Sequence, residues 1–264
     1  MSMNLMAILY SLTRIIRSRR EYNQRKVVLL SLMVLPITLV LALYTITREW
    51  YLILIMFEEI VPTIVVDNFF ETPSLVYANA QQQEYFTCTE HPNRGYWPGK
   101  RSRLINDTDP IFHEIICSKI IKYIPAFTHL HIADAAFHIS TGECNSGWIH
   151  TDDDHLGIGA VIYLNKEYKQ DTGTTIYDVP KGPQMEDYEE EFHKAMEAQG
   201  TEGIRVFDKY KEQCNSYFNE SIKVQARYNR CIIFDGRKYH GGQNFYGTNS
   251  SDARLTIVFF GQGH

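Results

Sequence analysis

The chain has 264 residues, 44% hydrophobic and 13% aromatic, enough for one sizeable core or two small ones. A formal net charge of −5 and the absence of a Gly-x-Gly-x-x-Gly or Walker-type loop argue against nucleic acids and nucleotide phosphates as partners. Five scattered cysteines (Cys88, Cys117, Cys144, Cys214, Cys231) contain no Cys-x-x-Cys pair. A zinc knuckle, a dithiol redox motif and a disulfide framework are all unsupported.

The first 60 residues differ from the rest. Residues 1–26 are basic, with Arg14, Arg17, Arg19, Arg20, Arg25 and Lys26. Residues 27–47 carry no charge and are long enough to span a bilayer, with Pro36 tolerable there. The basic flank puts the N-terminus in the cytosol and the main domain on the far side. No small-x-small cleavage site is evident, so the segment reads as a transmembrane signal anchor. Two alternatives stay open: a true start at Met56, giving a soluble cytoplasmic protein, or a buried apolar helix. Sequons at Asn106, Asn219 and Asn249 decide little.

From residue 60 onward the elements begin with a short strand, Pro62 to Val66. A helix follows from Glu71-Thr72-Pro73 to about Tyr85, with Thr72 as cap. Residues 89–109 read as loop. Asp109 caps a second helix, Pro110 to Tyr123, with Ile111, Ile115, Ile116, Ile120 and Ile121 on an apolar stripe. Strands then run Leu130 to Ser140, Leu156 to Leu164, Thr174 to Val179, Arg230 to Asp235 and Ala253 to Phe260. A polar insertion with helical spacing, 180–220, lies among them. Helices first and strands without helical crossovers afterwards predict an α+β, mainly β, antiparallel fold. A two-sheet jelly roll is the simplest closed form, with the insertion as a lid.

The chemistry concentrates before the second long strand, in WIHTDDDHLGIGAVIYLN. His150 and Asp152 are two apart, so on extended backbone they face one way. His240, next to an apolar strand and before Gly241-Gly242, is the best third ligand. Two histidines and one carboxylate leave three coordination positions open, the facial triad of non-haem Fe(II) oxygenases. Arg254 and Thr256 share a face of the last strand. A buried guanidinium there needs an anionic partner, and a fork with a neighbouring hydroxyl suits a dicarboxylate cosubstrate.

These residues resemble the Fe(II)/2-oxoglutarate-dependent dioxygenases, and within them the prolyl-4-hydroxylase-like group. His-x-Asp at 150/152, the strand ending Ile162-Tyr163-Leu164-Asn165, the Gly173 to Tyr177 strand, His240 and Arg254-Leu255-Thr256 carry the resemblance. DNFF, WPGKRS and YNRCIIFDGRKYH are similar to small dioxygenases of phages and marine microbes. The resemblance covers about residues 62–264. It implies a double-stranded β-helix, Fe(II) on His150, Asp152 and His240, and 2-oxoglutarate with its far carboxylate on Arg254 and Thr256, assisted by Tyr163. It further implies O2 as oxidant, ascorbate as an optional co-reductant, succinate and CO2 as products, and hydroxylation of a peptidyl (prolyl-like) or small-molecule substrate. His240 lies 88 residues after Asp152, and Arg254 lies 14 after His240, both spacings long for compact relatives. Because Asp152 is present, no ligand gap exists for a halide, and hydroxylation is favoured over halogenation.

Blander readings stand beside these. Asp153, Asp154 and His155 read as solvated or supporting residues, and His129 and His131, which alternate on one strand face and could pair on a metal, as structural or exposed. His138 and Ser140 either line the site or fill the core, as does Trp148. Arg101 and Arg103 either anchor a substrate or lie on a solvated loop. The competing functions are a non-catalytic, membrane-tethered jelly-roll binding protein and a metal-dependent hydrolase. Neither requires Arg254.

Overall fold

Leu130–Ser140 holds no glycine or proline to interrupt it, and it forms the longest strand among the described residues, β4. The computed structural model describes residues 61–92, 97–125, 127–152, 157–179, 209–249 and 251–263, with Tyr188, Glu190 and Lys194. The chain divides into two units, Met1–Glu59 and Ile60–His264, and the described residues belong to the second. The expected anchor at 27–47 lies outside them, as do Asp153, Asp154, His155 and most of the insertion. Among the described residues no helix is long and apolar enough to cross a membrane.

Before β4 come β1 (Ile64–Val66), α1 (Pro73–Gln81), β2 (Tyr85–Thr87), β3 (Lys100–Ser102), α2 (Ile105–Thr108) and α3 (Pro110–Ile121). After it come β5 (Ile158–Tyr163), β6 (Gly173–Asp178), β7 (Asn219–Gln225), β8 (Cys231–Asp235), β9 (His240–Gln243) and β10 (Arg254–Gly263). Seven strands form one sheet in the order β1-β8-β5-β10-β4-β3-β2, and three form a second, β7-β6-β9. All pairings are antiparallel. A further bridge joins His150 to His240 at the margin of the second sheet. The chain therefore visits the first sheet at β4, the second at His150, and the first again at β5. It returns to the second at β6 and β7, then alternates through β8, β9 and β10. This winding is the double-stranded β-helix, or jelly roll.

The two faces of the large sheet have different company. Leu255, Ile257 and Phe259 of β10 point outward with Ile139, Phe137 and Ala135 of β4 and Ile162, Ala160 and Ile158 of β5. They form one core with Val76 and Ala80 of α1 and Ile116 and Ile120 of α3. Tyr163, Ile232 and Phe234, on the inner face, pack with Ile176 and Val224 of the second sheet. Period-two alternation separates these two environments.

Several local expectations need correction. Asp109 does cap α3, with Oδ1 accepting the Phe112 N–H at 3.0 Å. The stripe below it is narrower than five isoleucines, because Ile111 is 78% and Ile115 45% exposed. The helix rests on the sheet through Ile116, Cys117 and Ile120. Thr72 stands at the cap of α1 without a side-chain cap hydrogen bond. That helix stops at Gln81 because Tyr85 is drawn into pairing with Ser102, and its hydroxyl donates to the Ala80 carbonyl at 2.8 Å. The supposed loop 89–109 contains β3 and α2. His240 does follow an apolar strand, β8, but Gly241-Gly242 after it form no turn: they continue β9, paired with Thr175 and Thr174. In the insertion, Tyr188, Glu190, Lys194 and 209–215 are helical, but Asn219 and Glu220 already belong to β7.

Candidate metal and cosubstrate site

His150 and His240 are 90 residues apart in sequence, yet their backbones bond to each other. His150 N–H donates to the His240 carbonyl at 3.0 Å and His240 N–H to the His150 carbonyl at 2.8 Å. Each ring then donates from Nδ1 to the carbonyl two residues before it, His150 to Trp148 and His240 to Lys238, both at 2.8 Å. Those bonds fix the tautomer, so each Nε2 carries a lone pair. Both lone pairs face Asp152: Oδ1 lies 3.7 Å from His150 Nε2 and 3.6 Å from His240 Nε2. The three ligand-type atoms lie within 4.8 Å of one another, and this is the one such cluster among the described residues.

The surroundings favour neutral imidazoles. Burial lowers the His240 pKa to about 4. Burial, then the repulsion that a second protonated ring at His240 would exert, lowers that of His150 to about 4 as well. A neutral imidazole is the form that binds metal. Asp152 is held by its N–H, which donates to the Gly236 carbonyl at 2.8 Å in the turn after β8. Its carboxylate lies over Gly159 of β5. A Cβ there would stand 2.6 Å from the Phe234 ring and 3.2 Å from Asp152 Oδ2. Phe234 packs on His240, ring centres 4.6 Å apart.

The predicted cosubstrate residues lie on the inner face of the large sheet. Tyr163, Thr256, His138 and Arg101 are cross-strand partners in one row, from β5 through β10 and β4 to β3. Arg254 stands one step along β10, opposite Ser140. Arg254 is only 5% exposed, and its Nε is buried without a hydrogen-bond partner. Its Nη2 donates over a long distance to the Gly173 carbonyl at 3.4 Å, and the guanidinium also hydrogen-bonds the Tyr163 side chain. The guanidinium carbon lies 5.4 Å from the Tyr163 ring centre and 5.0 Å from that of Phe245. The carboxylate partner that the sequence demanded is not supplied by the described residues. Gly242 leaves room for the fork, since a Cβ there would come within 3.0 Å of Arg254 Nη1. Tyr163 lies beside this group, and its hydroxyl donates to Thr174 Oγ1 at 2.8 Å. Burial raises its pKa, against the opposing charge of Arg254.

His138 belongs to this face, between Thr256 and Arg101. Its pKa is pushed well below the usual histidine value, first by burial and then by the charge of Arg101. It stays neutral, with Nε2 at 2.6 Å from the Pro98 carbonyl. Ser140 Oγ is 3.4 Å from the same nitrogen. Trp148 is fully buried in a cluster with Tyr188 and Phe218. Thr174, Phe245, Gly159 and Gly242 also shape the site, and sequence reasoning missed them. Strand register discloses Thr174, Gly159 and Gly242, and Phe245 is brought to Arg254 by the loop after β9.

A family model matches residues 52–260, and it is described as a family of unknown function, DUF6445. The chain belongs to that family. No curated protein matches it. Among solved structures it is similar to a prolyl hydroxylase from Trichoplax adhaerens in complex with a hypoxia inducible factor peptide fragment. The identity is 12%, over 76% of this chain and 83% of that one, with a TM-score of 0.46. It is similar to HygX from Streptomyces hygroscopicus with nickel and 2-oxoglutarate bound, at 11% identity over 79% and 85%, TM-score 0.47. A prolyl-4-hydroxylase from Pseudomonas putida matches at 13% over 76% and 92%, TM-score 0.39. With scores below 0.5, the residues of the site, not these likenesses, decide what it can do.

Proposed function

We propose that the chain is an Fe(II)- and 2-oxoglutarate-dependent dioxygenase that hydroxylates a peptidyl (prolyl-like) or small-molecule substrate. One observation carries this reading: a two-histidine, one-carboxylate cluster shares a jelly roll with a buried arginine, Arg254, whose Nε has no hydrogen-bond partner and which faces no carboxylate among the described residues. The donor set fits Fe(II), leaving one face of the ion open. The Arg254 fork, flanked by Thr256 and Tyr163, fits the far carboxylate of 2-oxoglutarate. Bound there, Fe(II) with 2-oxoglutarate and O2 supplies oxidative decarboxylation to succinate and CO2 and hydroxylation of a C–H bond.

The chain's own residues do the rest. His150, Asp152 and His240 hold the ion in a fixed orientation, because both rings and the Asp152 backbone are tied to carbonyls. Arg254 neutralises and orients the cosubstrate. Neutral His138 lines the face between the two without adding charge. Neither a binding module nor a hydrolase explains a buried guanidinium left without an anion.

The test uses the full chain under strictly anaerobic conditions. Adding Fe(II) and then 2-oxoglutarate produces a weak visible charge-transfer band that saturates. His150→Ala abolishes the band, and Arg254→Ala raises the 2-oxoglutarate needed for half-saturation at least tenfold. A folded wild-type chain without a band refutes the reading. Residues 27–47 we propose as a single-pass anchor with the catalytic unit on the far side. Extraction of the protein from membranes by alkaline carbonate refutes that.

A further inference from the structure

The row Tyr163–Thr256–His138–Arg101 ends on a second guanidinium that the proposed reaction does not use. The guanidinium carbon of Arg101 lies over two rings, 4.5 Å from the centre of Trp97 and 5.3 Å from that of Phe260. Contact of this kind holds the group in place and leaves the N–H edge for another partner. Yet Arg101 Nε is sealed from solvent without a hydrogen bond, and the neighbouring Trp97 Nε1 is in the same condition. Two orphaned donors side by side are costly, unless an acceptor arrives between them.

The charges around Arg101 point the same way. Asp152 is near enough to act on its charge, and it is also the carboxylate of the ligand cluster. The one carboxylate therefore cannot fully serve the arginine as well as the ion. His138, between Arg101 and Arg254 in influence, is neutral and offers no anion. The inner face thus presents two guanidinia, and a single 2-oxoglutarate places its far carboxylate on one of them, Arg254.

We propose that Arg101, with the Trp97 indole N–H, grips a carboxylate or similar oxyanion of the primary substrate, so that the molecule hydroxylated is an acidic one. The proposal rests on the dioxygenase reading and narrows its substrate class. The bidentate edge of Arg101 fixes the anionic end. Trp97 and Phe260 give a flat apolar wall beside it.

The test is a fluorine NMR titration of the full chain, in the presence of Zn(II) and saturating 2-oxoglutarate, with 4-fluorobenzoate and its neutral analogue 4-fluorobenzamide. Benzoate binds at least tenfold more tightly than benzamide. Arg101→Gln weakens benzoate at least tenfold, and Arg101→Lys restores part of the loss. Equal binding of the two probes, no binding of benzoate, or full retention in Arg101→Gln overturns the proposal. The anaerobic Fe(II) band, measured on Arg101→Gln, separates the two readings. If the wild type shows no band, the dioxygenase reading fails whatever the fluorine titration gives. If the band is normal in the wild type but the variant loses affinity for 2-oxoglutarate instead of benzoate, Arg101 serves the cosubstrate and the acidic-substrate proposal is wrong.

Discussion

The two faces of the seven-stranded sheet are built from the same strands and do opposite work. On β10, Leu255, Ile257 and Phe259 go outward into an apolar core under α1 and α3, while Arg254 and Thr256 go inward. On β4, Ile139 and Phe137 go outward and Ser140 and His138 inward. The outer face holds the fold, because buried aliphatic area drives folding whatever lies beyond it. The inner face spends that stability on buried polar groups that only a ligand completes. Arg254, Thr256, His138 and Ser140 thus sit on strands whose neighbours one position away pack into the outer core.

Crossing the comparison gives the largest expected effect. His240→Ala lowers Fe(II) affinity by more than about a hundredfold, since even loss of a supporting partner costs 10–100-fold. Ile257→Ala does the reverse: it costs about 2–5 kcal/mol of stability, while the folded fraction still binds Fe(II). Urea midpoints and metal titrations on both variants check the separation, and a His240→Ala variant that keeps Fe(II) breaks it. Gly159→Ala sharpens the contrast by joining the two effects. Its added methyl meets Phe234 and Asp152, so stability falls by about 1–3 kcal/mol and Fe(II) affinity falls with it.

The smallest effect lies away from both faces. Arg230, just before β8, holds Asp67 at 2.6 Å. Its hydrogen bond, resisted by some burial, keeps the Asp67 carboxyl below its usual value. A carboxyl lowered in the folded state contributes stability above its unfolded pKa, about 3.9, and that contribution is lost as pH falls through the folded value. Both groups are partly exposed, so the contribution stays under about 1 kcal/mol. Arg230→Gln therefore flattens the acid limb of the stability curve slightly and changes nothing at the site. Thermal melts from pH 6 to pH 3 measure it.

How much was legible in the sequence follows from the same division. β4 is readable because nothing punctuates it, and Arg254 with Thr256 because a strand of period two assigns their face. His150 and Asp152 are readable for the same reason. β7 is hidden because Asn219 to Lys223 are all exposed, which erases the alternation a half-buried strand would show. β9 is hidden because Gly241-Gly242 reads as a turn, whereas the absent side chains make room for Arg254 and its neighbours. His138 and Arg101 are 37 residues apart, and only the pairing of β3 with β4 brings them together. Local patterning thus reveals which residues share a strand face, and the register between distant strands completes the site.

The reciprocal backbone clasp between His150 and His240 has one more consequence. It closes a loop of about ninety residues on itself next to the ligand atoms. The entropy of closing a flexible loop grows only logarithmically, with each doubling of length adding about 0.6 kcal/mol. Adding residues between Lys194 and Lys209 therefore costs little closure entropy so long as the clasp persists, whereas Tyr188, buried with its hydroxyl on the Ile149 carbonyl at 2.7 Å, is not free to change. Length can thus vary between the two histidines while the backbone that carries His150 and His240 keeps its place.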